Sequence, residues 1–224
     1  AINRAGIKDE MAHQLVIFGK RMKRDMESQL TQNKASNAGG AGSARISASL
    51  ESWLSTNKTT LGSGGSPSSS GFASGIVAAP VDNSAAGTVT EAGVKAVIRA
   101  AYTQGGEPSV IMVGPFNRTK VSAFTGIATP YNPLTGAKPA AIVASADIYV
   151  SDFGKLSVIC NLFQRDQTLF VLDMDYWSIA YLRPMQKKDL AVTGDANRKQ
   201  MLCEYALVSK NEAASGKVTD LTTS

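Results

Sequence analysis

Catalytic and metal-binding chemistry is thin in this chain of 224 residues, which carries one histidine and two cysteines. His13 lies off the apolar stripe of the first helical stretch. No second His or Cys sits near it at metal-ligand spacing, so it reads as a solvated side chain. Cys160 and Cys203 stand inside apolar, strand-like runs and read as reduced core thiols of an intracellularly made protein, with a disulfide as the minor alternative. No apolar run reaches about 18 residues, which excludes a membrane-spanning helix. The glycine-rich stretches 39–42 and 62–65 lack the lysine and the following Ser/Thr of a phosphate-binding loop. No serine occupies a G-x-S-x-G elbow. Asp173 and Asp175 present two carboxylates that a divalent cation would accept, but between two strands such a pair reads as a polar turn. With no nucleophile, base and orienting group in reach of one another, the expectation is a non-enzymatic protein without cofactors.

Charge is also modest. The formal net charge is +5, from 23 Lys/Arg against 18 Asp/Glu, too small an excess to establish nucleic-acid binding. The sequence starts at Ala1 without methionine and shows no signal peptide, so it is expected to be the remainder of a longer polypeptide.

What is present begins with a long helix. Between Ala5 and Asn33 there is no proline, and Ile7, Met11, Leu15, Phe18, Met22, Met26 and Leu30 recur at steps of three or four. That spacing predicts a rod roughly 40 Å long with one apolar stripe, lying across a sheet or another layer. Its other faces are charged, and Lys20, Arg21, Lys23 and Arg24 make a basic face for solvent or a partner.

From 35 to 90 the texture changes, with Gly and Ser filling 22 of 56 positions. Such composition does not bury enough surface to offset its own ordering entropy, so 35–82 is expected to be an extended arm or long loop. One island, Ile46, Leu50, Trp53 and Leu54, fits the face of a short helix. Trp53 is expected to dock on the chain's own core, on the long helix or on a neighbouring subunit. A helix follows over 90–104, with Thr90 as N-cap and Gly105–Gly106 as its stop. SVIMVG then reads as a strand buried on both faces, and 118–124 as a short helix. Residues 83–145 thus form a layered α/β lobe ending in a Pro/Gly-rich excursion. From 146 to 224 the texture is β. AIVASADIYVS, KLSVICNLFQ, TLFVLD and YWSIAYLRP read as a mostly antiparallel meander. The polar KKDLAVTGDANRK follows Pro184, then a last strand, QMLCEYALVSK, and a small polar tail from Asn211. The class is α+β.

Three segments, EPSVIMVGPFNRTKVSAF, SDFGKLSVICNLFQRDQTLFVLDMDYWSIAYLRP and TGDANRKQMLCEYALVSKNEAASGKV, together resemble the major capsid proteins of tailed bacteriophages. The likeness covers nearly the whole chain. It implies a spine helix at 1–34 crossing a peripheral domain, an axial domain at 83–145 meeting its copies around five-fold and six-fold vertices, and long strands at 146–224 that form the peripheral sheet and link the two. The family normally carries an N-terminal arm and an extended loop ahead of the spine helix, and both are expected to be missing from this stretch of sequence. The resemblance implies a structural subunit of an icosahedral head that encloses double-stranded DNA. Its partners would be its own copies in pentamers and hexamers, the packaged DNA, and decoration, portal and scaffold proteins, with no membrane. It would be made in the host bacterial cytoplasm and reside in the virion. Lys20, Arg21, Lys23, Arg24, Trp53, Lys187, Lys188, Arg198 and Lys199 are the candidate subunit or DNA contacts. Alternatives are an encapsulin-type nanocompartment shell, a basic nucleic-acid-binding module, and a metal-dependent enzyme centred on Asp173 and Asp175.

Overall fold

The computed structural model describes residues 9–65, 68–124, 148–191, 194 and 197–223. The Pro/Gly-rich excursion at 126–140, the first half of AIVASADIYVS and the start of the long helix lie outside the described residues.

Helix α1 spans Glu10–Thr31, with Asp9 as N-cap accepting a hydrogen bond from the Met11 N–H. At 22 residues it is about 33 Å long. The short helix α2 (Leu50–Trp53) sits in the arm, followed by strands β1 (Lys58–Thr60), β2 (Gly71–Ala73) and β3 (Ile76–Ala78). Helix α3 (Glu91–Thr103) is capped by Thr90, whose hydroxyl accepts from the Gly93 N–H, and stops at Gly105 with φ +83°. Next come β4 (Val110–Val113), α4 (Pro115–Ser122), β5 (Ile148–Ser151), β6 (Gly154–Cys160), β7 (Leu169–Leu172), β8 (Trp177–Asp189), β9 (Lys199–Ser209) and β10 (Gly216–Thr219).

Six of these strands form one mixed sheet in the order β1-β10-β7-β4-β6-β5. β4 lies parallel to β6 and antiparallel to β7, so it separates two strands expected to be meander neighbours. A four-residue apolar strand with two open edges takes a ladder on each side, and KLSVICNLFQ and TLFVLD supply them. The lobe at 83–145 is therefore completed by strands from both flanking segments.

Alternation along β7 shows how the layers stack. Leu169 and Val171 point into a cluster with Val94, Val97 and Ile98 of α3, Ile111, Val113, Leu156, Val158 and Val218. Phe170 and Leu172 point to the opposite face and pack with Leu50 and Leu54 of the arm. Helix, sheet and arm are thus three layers around one body. The segment expected to be an extended arm or long loop supplies the third layer through Leu50 and Leu54.

The tail is the largest departure. Read as small and polar, it contains β10, a fully buried strand between β1 and β7. Val218 is the only large apolar residue of β10, so no apolar run announced the strand. Gly216 is required there: a Cβ would stand 2.4 Å from Val97 Cγ1 and 2.7 Å from the Asn57 carbonyl.

β8 and β9 form a separate two-stranded antiparallel ribbon. β8 runs on past Pro184, where a strand end was expected, with register shifts around Leu182–Met185. Proline is tolerated there because the strand has a free edge and an irregular ladder. The cysteines correct another expectation. Cys160 is exposed at the end of β6, and Cys203 is only half-buried, because its ribbon has no layer thick enough to cover it.

Candidate assembly surface

Helix α1 and the ribbon run alongside each other, and their apolar stripes meet without closing. Met11, Leu15 and Phe18 face Leu190 and Met201 across a cleft, and a Cβ on Gly19 would lie 3.5 Å from the Met201 methyl. Only Leu30 and Thr31 of the helix are buried. Val16, Ile17 and Phe18 remain about half exposed, as does Tyr181, and Leu182 is 82% exposed. Between the arm and the ribbon lies an open groove of about 910 Å³ lined by Ile46, Tyr181, Leu182, Cys203 and Tyr205. At its rim the Arg183 guanidinium grips the Glu204 carboxylate with two hydrogen bonds, which holds that carboxyl below its ordinary range.

Charge follows the same division. Helix α1 with its flanks and the ribbon (9–34, 177–191 and 197–210) carries eleven Lys/Arg against six Asp/Glu. The described remainder carries nine against ten. Lys20, Arg21, Lys23 and Arg24 are all exposed on α1; Lys187 and Lys188 are exposed near the end of β8, and Arg198 just before β9. Lys199 is paired with Asp189 at 3.1 Å. The structure thus puts the predicted basic residues on one helix–ribbon layer. Trp53 stands apart from them. It is half-buried and stacks on Phe72 of the β2–β3 hairpin, ring centroids 6.0 Å apart and planes within 11°. Phe72 is itself 63% exposed, so the arm presents an aromatic pair at the surface.

Asp173 is buried and accepts hydrogen bonds from the Glu107 and Asp175 backbone N–H groups at 2.9 and 3.2 Å. Its oxygens are committed to fixing the turn into β8. Among the described residues no three His, Cys, Asp or Glu side chains gather as a metal site would require. None of the described helices is long and apolar enough to cross a membrane.

Sequence reading missed the ionic clasp that holds the arm on the sheet. Glu51, fully buried on α2, accepts from Arg165 Nε at 3.1 Å and from Thr168 Oγ1 at 2.9 Å, with Arg165 Nη2 closing a bidentate pair. Asp82 takes the other side of the same guanidinium, at 2.9 Å from Nη2. Burial works against the Arg165 charge, but Asp82 and Glu51 outweigh it and hold its pKa above the ordinary value. Beside them Lys217 of β10, 1% exposed, donates to the Glu51 carbonyl at 2.7 Å and to Ser70 Oγ at 3.0 Å. Burial, only partly offset by the Glu51 charge, pushes this ammonium down to about 8. No local motif links residues 51, 82, 165 and 217; only the sheet order brings them together.

The body has its own core, and the long basic layer joined to it has almost none. The SU10 major capsid protein family matches residues 1–222, and the chain belongs to that family. Among solved structures it is similar to a chain of the satellite phage P4 procapsid that includes the size determination (Sid) protein, with a TM-score of 0.55 at 12% identity. The match covers 98% of this chain and 66% of that one, so this chain spans about two thirds of its length. At that identity the likeness is one of fold, and the fold is the phage capsid type. No curated protein matches the sequence.

Proposed function

We propose that this chain is a building block of an icosahedral phage head, assembling with its own copies as pentamers and hexamers around double-stranded DNA. The observation that carries the reading is the helix–ribbon layer of a major-capsid-family chain. It is long, basic and apolar at once, and has almost no buried side chains of its own. A two-stranded ribbon is marginal in water, and repeated contacts between copies supply the missing layer while acting together to stabilise a lattice. On this reading α1 is the spine helix, the ribbon is the peripheral layer, and the α3–β4–α4 lobe with its completing strands is the axial domain.

The exposed basic residues of α1 and the ribbon are assigned to packaged DNA, bound without sequence preference through phosphate contacts. Decoration, portal and scaffold proteins are the further partners the virion location implies. Electron microscopy of the purified protein with sizing by light scattering tests the reading. Closed shells or five- and six-membered rings are expected; a monomer at every concentration, with scaffold supplied, overturns it. Particles filled with protein in place of DNA would reassign the shell to a nanocompartment. Charge reversal of Lys20, Arg21, Lys23 and Arg24 to Glu is expected to leave shells intact but flatten the salt dependence of DNA retention.

A further inference from the structure

The free edge of β8 carries an inference that rests on the shell reading and names one contact within it. Backbone groups in an antiparallel pair alternate between facing the partner strand and facing away. The Lys210 N–H bonds to the Tyr176 carbonyl, so Tyr176 faces β9. In the opposite phase, the Leu207 N–H on β9 turns outward to Ser47 Oγ of the arm at 3.1 Å, and Leu207 is level with Ile179. Both observations place the N–H and C=O of Ile179 and Tyr181, and the C=O of Trp177, on the outer edge of β8. None of these has a hydrogen-bond partner among the described residues; the Trp177 N–H is satisfied by the Met174 carbonyl. β9's outer edge is therefore covered by the arm at this level, and β8's is open.

The open stretch is short and bounded. It begins at the turn fixed by Asp173 and ends where the ladder shifts register around Leu182–Met185, at Pro184. Proline and register shifts limit what an edge pairs with. Ile179 (39% exposed), Tyr181 (51%) and Leu182 (82%) give it an apolar surface.

We propose that this edge pairs with the same edge of a second copy, antiparallel, about a two-fold axis through Ile179. Ile179 then exchanges both hydrogen bonds with its counterpart, and each Tyr181 N–H donates to the other copy's Trp177 carbonyl. Both free donors find acceptors, and the Tyr181 carbonyl, which faces the Trp177 N–H already bonded to Met174, is left to solvent. Charge favours this orientation, with Arg183 already holding Glu204 of its own chain and Asp189 lying beside the β8 lysines. Every basic residue of β8 (Arg183, Lys187, Lys188) lies on one side of Ile179, and exposed Asp175 lies on the other. Antiparallel pairing brings Asp175 level with Arg183 of the second copy, whereas parallel pairing stacks like on like. The product is a four-stranded sheet, β9-β8-β8-β9, in place of two isolated ribbons. The contact is isologous and closes on itself.

Two measurements test it. In a Cys160→Ser, Cys203→Ser background, Ile179→Cys places two thiols in a hydrogen-bonded pair with Cα atoms about 5.5 Å apart, within disulfide range. Mild oxidation of assembled particles is expected to give covalent dimers, with Leu190→Cys giving few. In the unaltered protein, the Ile179 and Tyr181 amides are expected to exchange on the order of 100-fold more slowly in particles than in dissociated subunits; this reading stands even where the cysteine variant fails to fold. Particles without the dimer and with fast exchange at both amides overturn this contact and leave the shell reading intact. A chain that forms no particles overturns the shell reading itself, and this contact with it.

Discussion

The two ends of β7 and β8, neighbours in sequence, obey opposite rules. β7 and its neighbour β10 are buried throughout, although β10 reads Gly-Lys-Val-Thr. β8 opens Trp-Ser-Ile-Ala-Tyr-Leu and is exposed over nearly its whole length. Polar residues are inside and apolar residues outside because the body and the helix–ribbon layer have different solvents. The body is solved within one chain, so a buried lysine is acceptable where a carbonyl and a hydroxyl take its hydrogens. On the proposed assembly the layer is solved between chains, which makes Leu182 at 82% exposure unfinished and not misplaced. Hydropathy reports burial in the final assembly, and a subunit is only part of it.

Breaking the body is expected to give the largest effects. Arg165→Ala leaves the Glu51 carboxylate buried without its counter-charge, and loss of one partner of a buried pair costs about 3–5 kcal/mol. Denaturant unfolding of the dissociated subunit reads this directly; a loss below about 1 kcal/mol would mean that water reaches Glu51 and the clasp is not a closed one. Phe170→Ala removes a fully buried ring from the sheet face under the arm and is expected to cost about 3–5 kcal/mol in the same assay.

How far the fold was legible follows the same line. Helix α3 was readable to its caps, because Thr90, the stripe Val94, Val97, Ile98 and Ala101, and Gly105 are all local signals. The strands β4, β6 and β7 were readable as apolar runs, but their order was not: placing β4 between β6 and β7 is a decision of the whole sheet. β10 was invisible because its burial depends on neighbours supplied from residues 58–60 and 169–172. The basic residues of the candidate surface were legible as charge on a periodic helix. The clasp was not, since Glu51, Asp82, Arg165 and Lys217 become one cluster only after folding. Trp53 was expected to dock on the core, the long helix or a neighbouring subunit; within the chain it stacks on Phe72, which sits in a Gly/Ser-rich hairpin that carries no periodic signal.

A milder perturbation tests the clasp by pH. Burial pushes the folded Lys217 ammonium down to about 8, from an ordinary 10.5. Between these two values the unfolded chain holds the proton that the folded chain has released, so this group makes stability rise with pH across that window. Below about 8 both states are protonated, and the cost of burying the charge is felt in full. Lys217→Met removes the titration. The difference in unfolding free energy between the unaltered chain and the variant is expected to shift in favour of the unaltered chain from pH 8 toward 10.5. A difference that is flat across that range would place the amine in water.

The smallest expected effect is the most informative about the comparison. Leu182→Ala removes a side chain that touches almost nothing in the isolated chain, so the stability of the dissociated subunit should change by no more than about 0.5 kcal/mol. If the helix–ribbon layer is finished by neighbours, the same substitution acts where the subunit assay is blind, raising the protein concentration at which particles form. Light scattering against concentration measures that threshold beside the unfolding curve. A threshold that moves while the curve stays fixed locates the energy of Leu182 between chains. A curve that moves with it means the ribbon already has cover within its own chain, and the division between body and layer then loses its physical basis.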